Sequence, residues 1–165
     1  MTDTPSSASP ILAGFDAGQT HCRCRISRWS QGAWKLLGEG TGTGVSHLDA
    51  AGGEERFRAA IRSSLKAAWP DDHDEPLAAS AVGASGVEAG TGLQTRARSL
   101  LQEVVKLPED RCYATGDERT ALRGAFAEQA GIVLISGTGM IVVGRNSLGE
   151  EQRCGGWGWR LDVEG

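Results

Sequence analysis

The sequence lacks the features typical of nucleic-acid-binding and membrane proteins. Its 165 residues include 17 Lys and Arg against 21 Asp and Glu. No basic stripe is interleaved with aromatic residues, which argues against nucleic acid as a partner. No apolar run approaches the roughly 20 residues needed to cross a bilayer, and residues 1–10 have neither the basic nor the apolar part of a signal peptide. We therefore expect a cytoplasmic protein with no membrane partner.

Cysteine is also scarce. The four cysteines, at positions 22, 24, 112 and 154, are scattered through a chain with enough apolar residues to form a core. This usage is typical of reduced thiols and not of a disulfide framework. Cys22 and Cys24 have no second close pair, so their spacing does not predict a metal site.

Glycine, in contrast, is abundant. The chain has 24 glycines in 165 residues, about twice the usual share of ~7%. They lie in separate clusters between periodic segments, which predicts several functional turns instead of a disordered tract. The longest cluster, residues 38–53, is predicted to be a glycine-rich loop.

Hydrophobic periodicity predicts an α/β domain with a mixed sheet in the order β-β-β-α-β-α-β-α. The predicted strands and helices are, in chain order, strands 11–16, 22–29 and 33–39, helix 53–69, a strand running into a glycine turn over 77–86, a helix with Ala97, Leu100, Leu101 and Val104 inside, strand 111–114, and a helix with Ala121, Leu122, Ala125 and Phe126 inside. A fresh pair of strands, 131–136 and 140–145, predicts the start of a second lobe. We expect a tail over 1–10, one lobe over 11–129 and the beginning of another over 130–165.

The string "DAGQT" (16–20) stands where the first apolar strand ends. A hairpin turn needs a glycine, but it does not need an aspartate at the end of a strand. Asp16 could hold a hydrated Mg²⁺, and the N–H groups of the turn with the Thr20 hydroxyl could surround phosphate oxygens. A plain hairpin and a phosphate site both remain open at this point.

A second glycine-threonine turn, "GTG" (137–139), separates the last two predicted strands. An ordinary hairpin would also explain it. Two such turns, each leaving an apolar strand, could bind one polyphosphate from both sides. The two turns together therefore indicate a phosphate site more strongly than either turn does alone.

Asp117 begins the third predicted helix. Thr115 and Glu118 fit a capping box, and an acid in the first turn favours the helix dipole. The same position keeps a carboxylate ionised and able to accept a proton from a substrate hydroxyl.

The string "CGGWGW" (154–159) interleaves two tryptophans with three glycines. Such a segment is poor core material, whereas a tryptophan on a glycine loop suits stacking against a sugar. A structural loop is the alternative. His47, in the first glycine-rich loop, is a second candidate for ligand contact.

Six strings in this order resemble the BadF/BadG/BcrA/BcrD-type ATPases, and within them the N-acetylglucosamine kinase branch of the sugar kinase/Hsp70/actin superfamily. They are "GFDAGQT", "GTGTGVSHL", "AVGASG", "GDERTAL", "IVLISGTG" and "CGGWGW". The resemblance implies a ribonuclease-H-like fold of two lobes closing over ATP, Mg²⁺ and a sugar. It also implies in-line phosphoryl transfer, in which positioning and charge neutralisation do most of the work.

The resemblance implies a role for each matching residue. Asp16 would hold the metal through water, and Asp117 would be the base on the sugar hydroxyl. The residues implied to face the phosphates are Gly18, Gln19, Thr20, Gly137, Thr138 and Gly139. Those implied to contact the sugar are Ser46, His47, Gly156, Trp157, Gly158 and Asp162.

Three sugar-side positions depart from the usual pattern of that branch. Ser46 stands where Asn is usual, Met140 where Ser is usual, and Val163 where an Asp is usual, so that Asp162 would have to substitute. A site built to hydrogen-bond a hydroxyl discriminates strongly, so these changes predict a different preferred sugar.

Nothing in the sequence corresponds to the adenosine-binding half of the family. We therefore expect an N-terminal portion that is inactive alone. We also expect an exposed sheet edge in the second lobe that would pair with another copy of the chain.

Two other functions stay open. One is an ATPase activator of acyl-CoA dehydratases or reductases, whose relatives carry cluster-binding cysteines at a dimer interface. The other is a non-catalytic sugar-sensing module of the same fold, which Met140 and Val163 motivate.

Overall fold

The computed structural model describes residues 9–69, 75–136 and 140–157. Within them lie eight strands, three α-helices and a short 3₁₀ turn at Glu109–Arg111. The strands and helices are β1 Ile11–Ala17, β2 His21–Ser30, β3 Ala33–Thr43, α1 Gly53–Ala68, β4 Ala79–Ala84, α2 Gly92–Val105, β5 Cys112–Thr115, α3 Asp117–Phe126, β6 Gly131–Ser136, β7 Met140–Arg145 and β8 Glu151–Gly155.

The first five strands form one mixed sheet in the order β3-β2-β1-β4-β5. The pairs β3–β2 and β2–β1 are antiparallel, and the pairs β1–β4 and β4–β5 are parallel. Helices α1 and α2 make the crossovers between the parallel strands. The predicted ribonuclease-H-like α/β fold is confirmed.

The hydrophobic core lies between this sheet and helices α1 and α2. Alternate residues of β1 and β2 are buried, as the period-2 pattern of a half-buried strand requires. The helices contribute one buried stripe each, which is the 3–4 residue spacing that predicted them. The largest fully buried side chains of this core are Phe57, Ile26, Ile61, Leu101 and Val82.

The glycines of β3 correct one expectation. Residues 38–43 were predicted to begin a loop, but they belong to the strand. Gly38, Gly40 and Gly42 alternate along β3 and face α1, and a Cβ at any of them would overlap atoms of residues 60–68. These glycines therefore let the helix backbone lie directly on the strand.

The last three strands form a separate antiparallel sheet in the order β6-β7-β8. Only two strands were predicted here, and β8 was missed because its sequence "EQRCG" is polar and ends in glycine. Val143 is fully buried, whereas Ile132 and Leu134 on the edge strand β6 are 70% and 60% exposed.

A buried arginine joins this second sheet to α3. Arg145 on β7 donates from Nε and Nη2 to the carbonyl of Gln129, at 3.2 and 2.9 Å, and from Nη2 to the carbonyl of Ala127. Both carbonyls follow α3, so the guanidinium fixes the connection between the helix and β6.

Over the described ranges, every helix is too short or too polar to cross a bilayer.

Candidate functional site

The parallel strands bring the predicted catalytic segments to one edge of the first sheet. Asp16 on β1 is in register with Gly83 on β4, and Gly83 is in register with Thr115 on β5. Two strand spacings separate the first from the third, so their Cα atoms lie about 10 Å apart. Ligands of open α/β sheets bind outside the carboxyl ends of such strands.

The turn after β1 places its backbone at this edge. The Gly18 N–H donates to the carbonyl of His21 at 3.0 Å, and the Gly18 carbonyl accepts from the Val45 N–H at 3.0 Å. Gln19 and Thr20 are exposed. The turn is therefore held against the start of the predicted sugar loop, and its outer side is open to solvent.

Asp16 points away from the core, and its carboxylate is exposed. Its Oδ2 lies 3.4 Å from Nη1 of Arg23, the residue opposite it on β2. Sequence analysis did not single out Arg23, although strand alternation in a hairpin places positions 16 and 23 side by side. A carboxylate with one loose cationic partner remains accessible to a ligand.

The residues at this edge fit a hydrated Mg²⁺ and not a caged one. In the described part of the chain, no three His, Cys, Asp or Glu side chains are grouped so that they could hold a metal ion. Mg²⁺ keeps several waters and is usually bound by one or two carboxylates with substrate phosphates. The single exposed carboxylate of Asp16 matches that donor set.

Asp117 is the first residue of α3 and is half-buried. Its Oδ1 accepts a hydrogen bond from the N–H of Glu118 at 3.0 Å. The predicted capping box is wrong: Gly116, and not Thr115, is the N-cap, and it makes no side-chain cap hydrogen bond, while Oγ1 of Thr115 is buried without a partner. The helix begins at Asp117 because the chain leaves β5 in an extended conformation at Gly116.

Glu118, next to Asp117, is only 4% exposed. Burial raises the pKa of its carboxyl, and the neighbouring Asp117 raises it further. Arg119 lies 4.0 Å away and opposes this shift. Two adjacent carboxyls in different environments are a common arrangement where one acid takes part in proton transfer.

The predicted sugar loop after β3 contacts the loop after β4. His47 is exposed, and its ring lies over Gly86, where an added Cβ would come within 2.6 Å of Cε1. Gly86 has a φ of +78°, so glycine is required there both for the backbone and for the ring. Ser46 is half-buried, and its Oγ has no hydrogen-bond partner.

The glycine-tryptophan turn follows β8. Gly155 and Gly156 both have a φ of +77°, and the Gly156 N–H donates to the carbonyl of Met140 at 2.8 Å. Trp157 is 66% exposed, and the guanidinium of Arg153 lies 5.6 Å from its ring centroid. Two left-handed glycines in succession turn the chain sharply and leave the indole at the surface.

Several predicted site residues lie outside the described ranges. They are Gly137, Thr138 and Gly139 of the second phosphate turn, and Gly158, Asp162 and Val163 near the end of the sequence. Their roles stay predictions.

Sequence reasoning also missed two residues that join the parts of this site, Glu88 and Arg153. Nη1 of Arg153 lies 2.6 Å from Oε1 of Glu88, although 65 positions separate them. No local motif marks either residue, so only the fold could show that they meet.

The chain is similar in sequence and in structure to proteins that are named as sugar kinases. The N-acetylmuramic acid/N-acetylglucosamine kinase of Clostridium acetobutylicum is 31% identical over 93 residues, which are 55% of this chain and 29% of the relative. A protein from Chromobacterium violaceum, provisionally named an N-acetylglucosamine kinase, superposes with a TM-score of 0.64 at 26% identity, over 93% of this chain and 51% of that structure. The predicted resemblance is confirmed.

A provisionally named N-acetylglucosamine kinase from Porphyromonas gingivalis has the same fold. Its TM-score is 0.69 at 20% identity, over 92% of this chain and 50% of that structure. No family model matches the chain. The chain spans about half the length of the solved structures that it resembles.

Proposed function

We propose that this chain forms one wall of the catalytic cleft of an ATP-dependent sugar kinase, which transfers the γ-phosphoryl group of ATP to a sugar hydroxyl. The observation that carries the proposal is the arrangement of Asp16, the turn at 18–20 and Asp117 at one edge of the parallel strands. The similarity to an N-acetylmuramic acid/N-acetylglucosamine kinase supports the class of acceptor.

Each residue has a distinct task in this proposal. Asp16 binds the waters of Mg²⁺, which when bound neutralises phosphate charge, and the N–H groups of the turn with the Thr20 hydroxyl orient the phosphates. Asp117 accepts the proton of the attacking hydroxyl. Thr138, in the second glycine-threonine turn, would contact the phosphates from the opposite side.

The sugar would lie between the His47 loop and the Trp157 turn. The indole offers an apolar face of the kind on which a sugar ring stacks, and the Ser46 hydroxyl, which is buried without a partner, has a hydrogen bond left to make. Because Ser46 and Met140 differ from the residues usual in the N-acetylglucosamine kinase branch, we expect the preferred sugar to differ from N-acetylglucosamine. We place the enzyme in the cytoplasm, where ATP is available.

The test is sugar-dependent ADP release by the complete gene product across a panel of amino and neutral sugars. Asp117→Asn should reduce kcat by about 10²–10⁴-fold, which is the usual contribution of a general base. The matched control is Asp110→Asn, which neutralises an exposed carboxylate in the 3₁₀ turn and should leave kcat unchanged.

The alternatives predict different results. Sugar binding in calorimetry without turnover would favour the sensing module. An iron–sulfur absorption band after anaerobic purification would favour the dehydratase activator, although Cys22, Cys24 and Cys112 are buried in the described structure and Cys154 is the exposed one.

A further inference from the structure

Arg153 contacts two parts of the molecule with one guanidinium, the loop after β4 and the turn after β8. Its Nη1 lies 2.6 Å from the carboxylate of Glu88, in the loop between β4 and α2. Its Nη2 donates to the carbonyl of Gly156 at 3.2 Å, and Nε points to the carbonyl of Gly155 at 3.4 Å. Cζ of the same group lies 5.6 Å from the ring centroid of Trp157. Arg153 therefore holds the turn that carries the tryptophan.

Glu88 belongs to the loop on which His47 rests. Two residues before it, Gly86 lies under the His47 ring. The contacts thus run from His47 through Gly86 and Glu88 to Arg153 and Trp157. These contacts join the two segments implied to contact the sugar, which follow strands of different sheets.

We propose that Glu88 and Arg153 are positioning residues of the sugar site, which set the Trp157 turn at a fixed distance from the His47 loop. This inference rests on the proposed function. Neither side chain touches the reacting atoms; they act through the indole and the imidazole. The task suits arginine, because its rigid fork can serve a carboxylate and two carbonyls at once, whereas a lysine ammonium cannot reproduce that geometry.

Loss of the Glu88–Arg153 pair should change the position of Trp157 more than it changes the free energy of unfolding. The side chains of Arg153 and Glu88 are 23% and 50% exposed, and ion pairs that are partly exposed to water contribute little to folding. A displaced stacking residue, however, directly weakens the binding of a ring.

The first experiment is a double-mutant cycle on the complete gene product, with Glu88→Gln, Arg153→Gln and both together. Each single change should raise the KM for the sugar by roughly tenfold, which corresponds to a coupling within the usual range for residues in contact. The KM for ATP should stay unchanged. The double variant should be no worse than Arg153→Gln alone, because that change already breaks the bridge to Glu88.

The second experiment does not depend on sugar or turnover. Fluorine NMR of protein labelled with 5-fluorotryptophan, with the Trp157 resonance assigned from Trp157→Phe, should show that resonance shifted in Glu88→Gln. Arg98→Gln is the matched control, since it breaks another ion pair, between α2 and Glu109 of the 3₁₀ turn. It should leave the Trp157 resonance in place.

The outcomes separate the two proposals. An unmoved Trp157 resonance in Glu88→Gln, or fully additive effects in the cycle, would overturn the positioning role while leaving the kinase proposal intact. If the unmodified protein binds no sugar, the kinase proposal fails, and the NMR result still decides whether Glu88 sets the position of Trp157. Should Arg153→Gln not fold, Glu88→Gln alone provides both the KM for the sugar and the Trp157 resonance. The Glu88 side chain is half exposed, so this change should leave the fold intact.

Discussion

The five-stranded sheet and the three-stranded sheet bury their apolar residues to different extents. The first is covered by α1 and α2, which contribute fully buried side chains such as Phe57 and Leu101. In the second, Ile132 and Leu134 are largely exposed. Its contacts to the rest of the chain include arginine hydrogen bonds and ion pairs as well as the ring of Phe126 against Gly131. Apolar burial is more extensive in the first region than in the second, so the two should respond differently to the same kind of change.

The largest expected difference comes from one substitution made in both regions. Ile61→Ala in α1 should lower the free energy of unfolding by about 2–5 kcal/mol, because a fully buried side chain leaves a cavity. Ile132→Ala on β6 should change it by less than about 0.5 kcal/mol, since that side chain is already in water. Urea denaturation measures both, and equal losses would contradict the comparison.

A glycine substitution sharpens the same point within the first sheet. Gly40→Ala should cost about 2–3 kcal/mol, because its Cβ would overlap backbone atoms of α1. Gly14→Ala on β1 has no atom within 4 Å of the added Cβ, and it should be neutral or slightly stabilising because alanine has less backbone freedom to lose. Thermal unfolding of the two variants distinguishes a packing requirement at Gly40 from a general intolerance of glycine substitution in β1 and β3.

Alkaline pH should weaken the first region. Burial raises the pKa of Cys24 from its ordinary value of 9.0 to about 12, so above pH 9 the unfolded chain releases a proton that the folded chain keeps. Stability is then complete below about pH 9 and falls as the pH rises toward 12, by at most about 1.4 kcal/mol per pH unit for one thiol. Melting temperatures from pH 8 to 10.5 should fall less steeply in Cys24→Ala, and identical slopes would exclude this thiol as the cause.

The smallest effect is expected at the attachment of the second sheet. Nε of Arg119 on α3 lies 2.8 Å from Oε2 of Glu151 on β8, with both side chains about three-quarters buried. Glu151→Gln should cost about 1 kcal/mol, as expected for a charged hydrogen bond that becomes neutral. Glu109→Gln, which breaks the more exposed pair with Arg98, should cost less. If the two losses are the same, burial does not strengthen the attachment.

The sequence predicted the parts of the fold whose signals are local. The apolar stripe of α1 and the alternation of β2 predicted the bounds of both elements to within one residue. The position of Asp16 at a strand end was also correct. Glycine usually indicates a turn and so predicts a loop from residue 38 onward, whereas over 38–43 every second residue is a glycine that accommodates a helix. The composition of a segment cannot reveal what packs on it.

The candidate site was predictable only in pieces. Asp117 follows a strand and starts a helix, and both signals are visible in a few residues. The bridge between Glu88 and Arg153 depends on how two sheets meet, and neither position has a local pattern. Thr115 and Glu118 show the converse case, since their spacing predicted a cap that the backbone does not form.

The glycines of β3 set the mutational tolerance of that strand. Positions 38, 40 and 42 face α1, and the residues between and after them, Glu39, Thr41 and Thr43, are exposed. A saturation library over this stretch should therefore accept many side chains at odd positions and almost none at even ones. The odd positions offer three sites, on an edge strand packed against α1, for attaching a spectroscopic label or a cross-linker without disturbing the fold.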